Sequence, residues 1–220
     1  SLFSVLVLAL GYVSLGEFLR KRLLPSRLLD DRVSLLKWLL PIAVGTFSIS
    51  LVYSSSLRFL GLLPPADWLA AVLQFWVGDA VGIAVAMPLF WWLSGERGRL
   101  ALRAALPCWE TLGYSLLGLL ALWAAFGLGG DGGFKLFYFL FLPIVWASAR
   151  QGMAGAIVSA TLLQIGVIAA VQLLDFSAVT VAELQMLAVV MALIGFFIGG
   201  VVDEQRRTSD ELRQTLRLAA

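Results

Sequence analysis

The sequence predicts an all-α fold: a polytopic bundle of about seven transmembrane helices with a cytoplasmic C-terminal exit helix. Three observations point there. Of 220 residues, 60% are hydrophobic and 14% are charged, whereas soluble domains carry about 25% charged residues. The mean hydropathy is +0.93. Several apolar stretches approach or exceed the ~20 residues that cross a bilayer as a helix.

Taken in order, spans are expected at 2–19, 36–60, 68–93, 108–128, 134–149, 152–174 and 184–202. The fifth is short and joins the sixth through only Arg150, Gln151 and Gly152, so the pair forms a tight helical hairpin. The loops set the orientation. Every Lys and Arg except Arg58 and Lys135 falls on one side, and the positive-inside rule makes that side cytoplasmic. The opposite loops, holding Asp67, Asp131 and Asp175, are short, turn-rich and acidic. Seven spans then put Ser1 outside without a cleavable signal, so an odd number of further spans is expected upstream. A true seven-span protein is the alternative.

The end of the chain has a different character. Val202, Ser209 and Leu216 recur at seven, with Leu212 and Ala219 between them. No Gly or Pro interrupts the segment. This is the pattern of a short parallel coiled-coil seam continuing out of the last span. A frayed amphipathic tail is the other reading. The expected division is therefore an integral membrane domain at 1–202 and an exit helix at 203–220 that leads to an output domain.

The chain has no histidine and a single cysteine, Cys108. That removes imidazole bases, histidine-ligated metals and internal disulfides. No nucleophile–base pair, phosphate loop or pair of intramembrane carboxylates is present, so this segment is not expected to be an enzyme or to hold a cofactor. The expected partners are the lipid bilayer, a second copy through the exit helix and output domain, and a small-molecule or membrane-protein signal, with no nucleic acid.

The candidate site is the third span. Asp79 lies near its centre, where a charged carboxylate costs at least ~2.5–3.5 kcal/mol. It must face the bundle, be protonated or hold a partner. Gly78, Gly82 and Ala86 follow at i+4 and make a small-residue stripe beside it, where another helix can approach. Gln74 is a turn away. Pro88 removes a backbone hydrogen bond and kinks the span. Two readings of Asp79 stay open: a signal-sensing polar centre, or a hydrogen-bond clamp between helices. Elsewhere, Glu17 beside Arg20 and Lys21 suits a boundary ion pair, and Arg58 is placed to snorkel. Gln151, Gln164, Gln172 and Gln185 suit interhelical hydrogen bonds. Trp38, Trp68, Trp91, Trp92, Trp109 and Trp146 cluster near span ends, as an interfacial belt does. Gly195 and Gly199 form a small-xxx-small pair that packs within the bundle or forms a dimer seam.

The stretch "FWVGDAVGIAVAMPLFWWL" at 75–93 resembles the signature of the first-class MASE-type membrane-associated sensor domain. That resemblance rests on Trp76, Gly78, Asp79, Gly82 and Pro88, with Phe75 where Trp is more usual. A second stretch, "FLPIVWASARQGMAGAIVSA" at 141–160, is similar to the family's later hairpin through Pro143, Trp146, Ala147, Arg150 and Gly152. The resemblance covers nearly the whole chain. It implies a sensor domain placed before bacterial output modules, mainly histidine kinases and diguanylate cyclases, in the inner membrane. It also implies missing upstream helices. "DELRQTLRLAA" looks like the lead-in to a kinase dimerisation helix. The expected function is a sensory input domain that relays a stimulus through the last span to a histidine kinase. The alternative of another class is a small-solute transporter or its membrane subunit, for which discontinuous spans and a midplane polar site would suit.

Overall fold

The computed structural model describes residues 2–23, 32–127, 134–174 and 178–219. The basic stretch holding Arg27 and the loops holding Asp131 and Asp175 lie outside the described residues. Among the described residues seven α-helices follow one another: α1 Leu2–Leu23, α2 Arg32–Phe59, α3 Trp68–Ser94, α4 Glu96–Ala105, α5 Trp109–Gly127, α6 Phe141–Leu174 and α7 Ala178–Ala219. Short 3-10 turns at Pro65–Asp67 and Phe134–Leu140 lead into α3 and α6. There is no strand among the described residues.

Among the described residues, five segments are long and apolar enough to cross a membrane: Trp38–Phe59, Pro65–Ser94, Trp109–Gly127, Leu136–Leu173 and Glu183–Arg217. The spans expected at 134–149 and 152–174 meet in the one segment Leu136–Leu173, and α1, at the first expected span, is helical over 22 residues. The hairpin itself is present. Gly152 has φ 63° and ψ −142° inside α6, and the chain reverses there. A Cβ on Gly155 would lie 2.2 Å from the Ala147 carbonyl oxygen. Eight residues of straight helix span about 12 Å, so the two arms must run side by side.

The chain forms two compact units, Ser1–Ala84 and Val85–Ala220, with α3 continuing through the boundary. In the first unit α1 and α2 pack through glycines. A Cβ on Gly11 would meet Ile49 at 2.9 Å, and one on Gly45 would meet Leu15 at 2.5 Å. Residues 11 and 15 therefore oppose 49 and 45, and the helices run antiparallel. α2 passes through Pro41 without interruption. It ends at a left-handed glycine, Gly61 (φ 72°), where the Leu62 N–H reaches the Leu57 carbonyl at 3.0 Å. This is the Schellman closure that suits a residue without a Cβ.

The second unit has a continuous apolar core. Ala121 and Ala125 of α5, Phe137 and Leu140 before α6, Ile144, Leu163 and Val167 of α6, and Leu184, Ala188 and Met191 of α7 form one buried cluster. Every residue from 152 to 160 is buried. A helix face buried all round needs small residues if its neighbours are to approach, and this stretch supplies Ala154, Gly155, Ala156, Ser159 and Ala160. α4 is an element that hydropathy does not reveal. Its sequence reads as a basic loop, yet it is helical. Glu96 in its first turn and Arg103 in its last complement the helix dipole. Leu102 is buried against Tyr114, Ala147 and Val158.

Candidate functional site

Two polar constellations stand out, one in each unit. The first surrounds the α3 carboxylate. The Tyr12 hydroxyl of α1 donates a hydrogen bond to Oδ2 of Asp79. One turn earlier, the Trp76 indole N–H donates to the Ala43 carbonyl of α2 at 2.9 Å. Positions 76 and 79 share a helix face, so a single turn of α3 holds both neighbours. Aromatic edges reinforce it: Phe47 against Trp76 at 5.3 Å and Tyr53 against Phe75 at 4.9 Å.

The other candidates of this region are placed differently. Gln74 is exposed and shares no hydrogen bond with Asp79. Gly78 is half-buried, whereas Gly82 is exposed, and a Cβ there would meet nothing within 4 Å. The small-residue stripe is therefore not a continuous packing face, because at Gly82 no helix has come close. Pro88 is buried, and α3 is helical on both sides of it. The hydrogen bond from Tyr12 gives Asp79 the partner that a carboxylate in an apolar helix needs. Tyr12 is the residue that the sequence reading missed. Its signal in the sequence is a phenol within the apolar run at 5–13.

The second constellation surrounds the α6 turn. Gly152 takes a backbone conformation that only glycine adopts readily. A Cβ there would also lie 1.9 Å from Oδ1 of Asp203. The Met153 N–H donates to Oδ2 of Asp203 at 3.1 Å. The Arg206 guanidinium donates to the Arg150 carbonyl at 2.8 Å. A Cβ on Gly199 would lie 2.9 Å from the carbonyl carbon and oxygen of Gly152. One on Gly195 would meet Ile144 at 2.5 Å and the Ser148 hydroxyl at 3.3 Å. Gly195 and Gly199 therefore pack within the bundle, and their face is not free for a dimer seam.

α5 holds the same turn from another direction. The Arg150 side chain donates to Oε1 of Glu110 through Nε at 2.9 Å and Nη2 at 2.5 Å. The Gln151 amide donates to the Thr111 hydroxyl at 2.9 Å and accepts from the Tyr114 hydroxyl at 3.2 Å. The Thr111 hydroxyl in turn donates to the Ala105 carbonyl. Buried Thr111 and Tyr114 are thus satisfied, as buried polar groups must be. Trp146 lies over Gly113 of α5, where a Cβ would come within 2.9 Å of its ring. Next to Tyr114, a cavity of about 280 Å³ opens between α5 and the two arms of α6, with Gly118, Pro143, Ser159 and Gly166 in its walls.

The sequence marks Gly195 and Gly199 as a close-packing pair, Arg150 and Gly152 as the joint of the hairpin, and Trp146 as part of the later motif. It does not single out Asp203, Arg206, Glu110 or Tyr114. Asp203 and Arg206 sit where the chain turns polar, and there they read as solvated positions on the exit helix.

Smaller expectations divide. Glu17 does pair with Arg20 and Lys21, at 2.9 and 3.0 Å. Arg58 lies over the Trp68 ring at 5.9 Å. Trp38 is 5% exposed and is a buried residue rather than part of an interfacial belt. Gln164 has a buried amide oxygen without a hydrogen-bond partner among the described residues.

Compared with known families, residues 2–206 match the model of the MASE1 family. No curated protein and no solved structure matches the chain.

Proposed function

The chain belongs to the MASE1 family of membrane-associated sensor domains, and from that premise we propose that it relays a stimulus through α7 to a cytoplasmic histidine kinase. The family's role is sensory and not catalytic, which also stands against a transporter. The proposed setting is the bacterial inner membrane with the C-terminus in the cytoplasm, where the positive-inside rule puts it.

One observation carries the relay. α7 is a single helix of 42 residues. At 1.5 Å per residue it is about 63 Å long, roughly twice the ~30 Å hydrocarbon core. Its first half contributes to the buried core of the second unit, and residues 204–217 are exposed. Leu212 and Leu216 are each 62% exposed on this polar stretch, in the register of a seam with a second copy. An unbroken rod of this kind transmits rotation or translation from the bundle to whatever follows it. The stimulus biases the two packings only by its differential affinity for them.

The test is an insertion series after Thr208 in the full-length protein, held in membrane vesicles with ATP. Autophosphorylation that rises and falls with the seven-residue phase of the insertion is the expected result. Output indifferent to phase would overturn the relay. Cyclic dinucleotide made from GTP, without autophosphorylation, would replace the kinase with a diguanylate cyclase.

A further inference from the structure

We infer that Asp203 and Arg206 form a latch that fastens the exit of α7 to the α6 turn, and that this latch sets the output of the protein. The inference rests on the reading of α7 as the relay and names the residues through which the bundle grips it.

The chemistry of the turn explains the choice of residues. The α6 arm before Gly152 ends there, leaving carbonyl oxygens without helical partners. The arm after it begins there, leaving free N–H groups. The turn therefore presents a partly negative helix end and a partly positive one a few ångströms apart. Asp203 and Arg206 are three residues apart on one face of α7. The carboxylate meets the N–H end at Met153, and the guanidinium meets the carbonyl end at Arg150. Each charge lies at the pole that attracts it, and reversing them would repel at both.

The latch depends on close approach. Gly199 lies one turn before Asp203, and its backbone sits against that of Gly152. Rotating α7 by one residue, about 100°, or sliding it by a few ångströms removes both polar contacts together. The latch is thus specific for one rotation and one height of the rod. It is also wired to α5. The turn residue whose carbonyl binds Arg206 uses its own side chain to hold Glu110, and its neighbour Gln151 holds Thr111 and Tyr114. A displacement of α5 that moves this turn moves the grip on α7. The family match runs to residue 206 and so takes in both latch residues.

The experiment uses the full-length protein in nanodiscs, with two readouts. The first is amide hydrogen exchange in the 150–156 segment. The second is autophosphorylation. Asp203→Ala and Arg206→Ala are expected to speed exchange there about tenfold, as a lost charge-assisted hydrogen bond does. Arg213→Ala, two turns further along, is the control and leaves it unchanged. Both latch variants are expected to change basal output by at least about fivefold, the scale of allosteric coupling. Asp203→Asn keeps an acceptor for the Met153 N–H and falls between parent and Asp203→Ala. If Asp203→Ala does not fold, Asp203→Asn and Arg206→Lys carry both readouts. Unchanged exchange in the folded variants overturns the latch. Faster exchange with parental output overturns its control of signalling. If the insertion series still shows its phase dependence, the relay stands while the latch falls. If neither perturbation moves output, the relay fails with it.

Discussion

Asp79 and Gly152 each mark a place where α-helices of this bundle are joined by polar chemistry, but they are joined in opposite ways. At Asp79 the join runs through side chains. A phenol from α1 and a carboxylate of α3 meet, an indole reaches a carbonyl of α2, and one turn away Gly82 faces open space. At Gly152 the join runs through backbone. Gly199 lies against it, Asp203 fills the space a Cβ would need, and the neighbouring residues are buried without interruption from 152 to 160. Side-chain joins tolerate substitution because rotamers adjust, whereas backbone joins do not, since nothing can be trimmed or turned aside. The lone charge drew attention in the sequence. The more demanding site was a glycine.

The sharpest way to break this contrast is Gly152→Ala. The new Cβ would meet Asp203 on a left-handed backbone. We expect a loss of about 3 kcal/mol or more, from strain and clash together, read as reduced thermal stability in detergent. Parental stability would remove the distinction between the two sites.

Next in size is the Asp79 pair. Tyr12→Phe is expected to cost about 0.6–1.7 kcal/mol, the range of hydrogen bonds between membrane helices. Replacing both partners, with Tyr12→Phe and Asp79→Leu together, should restore most of that loss, because no polar group is then left unpaired. A double variant that is stable yet altered in output would assign Asp79 a sensing role beyond the clamp. One that is stable and signals as the parent does would leave it a clamp.

A smaller effect is expected at the rim of the α6 turn. Arg150 is exposed and Glu110 partly exposed. Glu110→Gln should cost about 0.2–1 kcal/mol and lose most of its effect at high salt. The smallest change is Gly82→Ala. With open space around the site, alanine relieves the helix penalty of glycine, so the variant should match the parent or gain up to about 1 kcal/mol. A marked loss would mean that a partner covers the stripe in the membrane.

The hairpin shows how much was legible. "RQG" between two apolar runs is too short for anything but a reversal, and the glycine marks its point. What it packs against was hidden. Asp203 lies 50 positions from Met153 in a stretch whose composition says only that it is polar. The Asp79 site was half legible for a related reason. A buried carboxylate announces itself by its cost, but a tyrosine in a membrane span costs little and reads as one more aromatic. α4 escaped because its charge outweighs the two residues, Leu102 and Ala105, that it buries.

The sequence by itself determined that this chain is a membrane domain and that it is helical. Those follow from hydropathy and the length of the apolar runs, and each is a local property summed along the chain. Only the tertiary structure decided that Tyr12 answers Asp79 and that Gly195 and Gly199 face inward. It also decided that two charges at the start of the exit helix grip the poles of a turn far from them in sequence. Pairing depends on which helix faces bring backbones within contact distance, and no single segment carries that information.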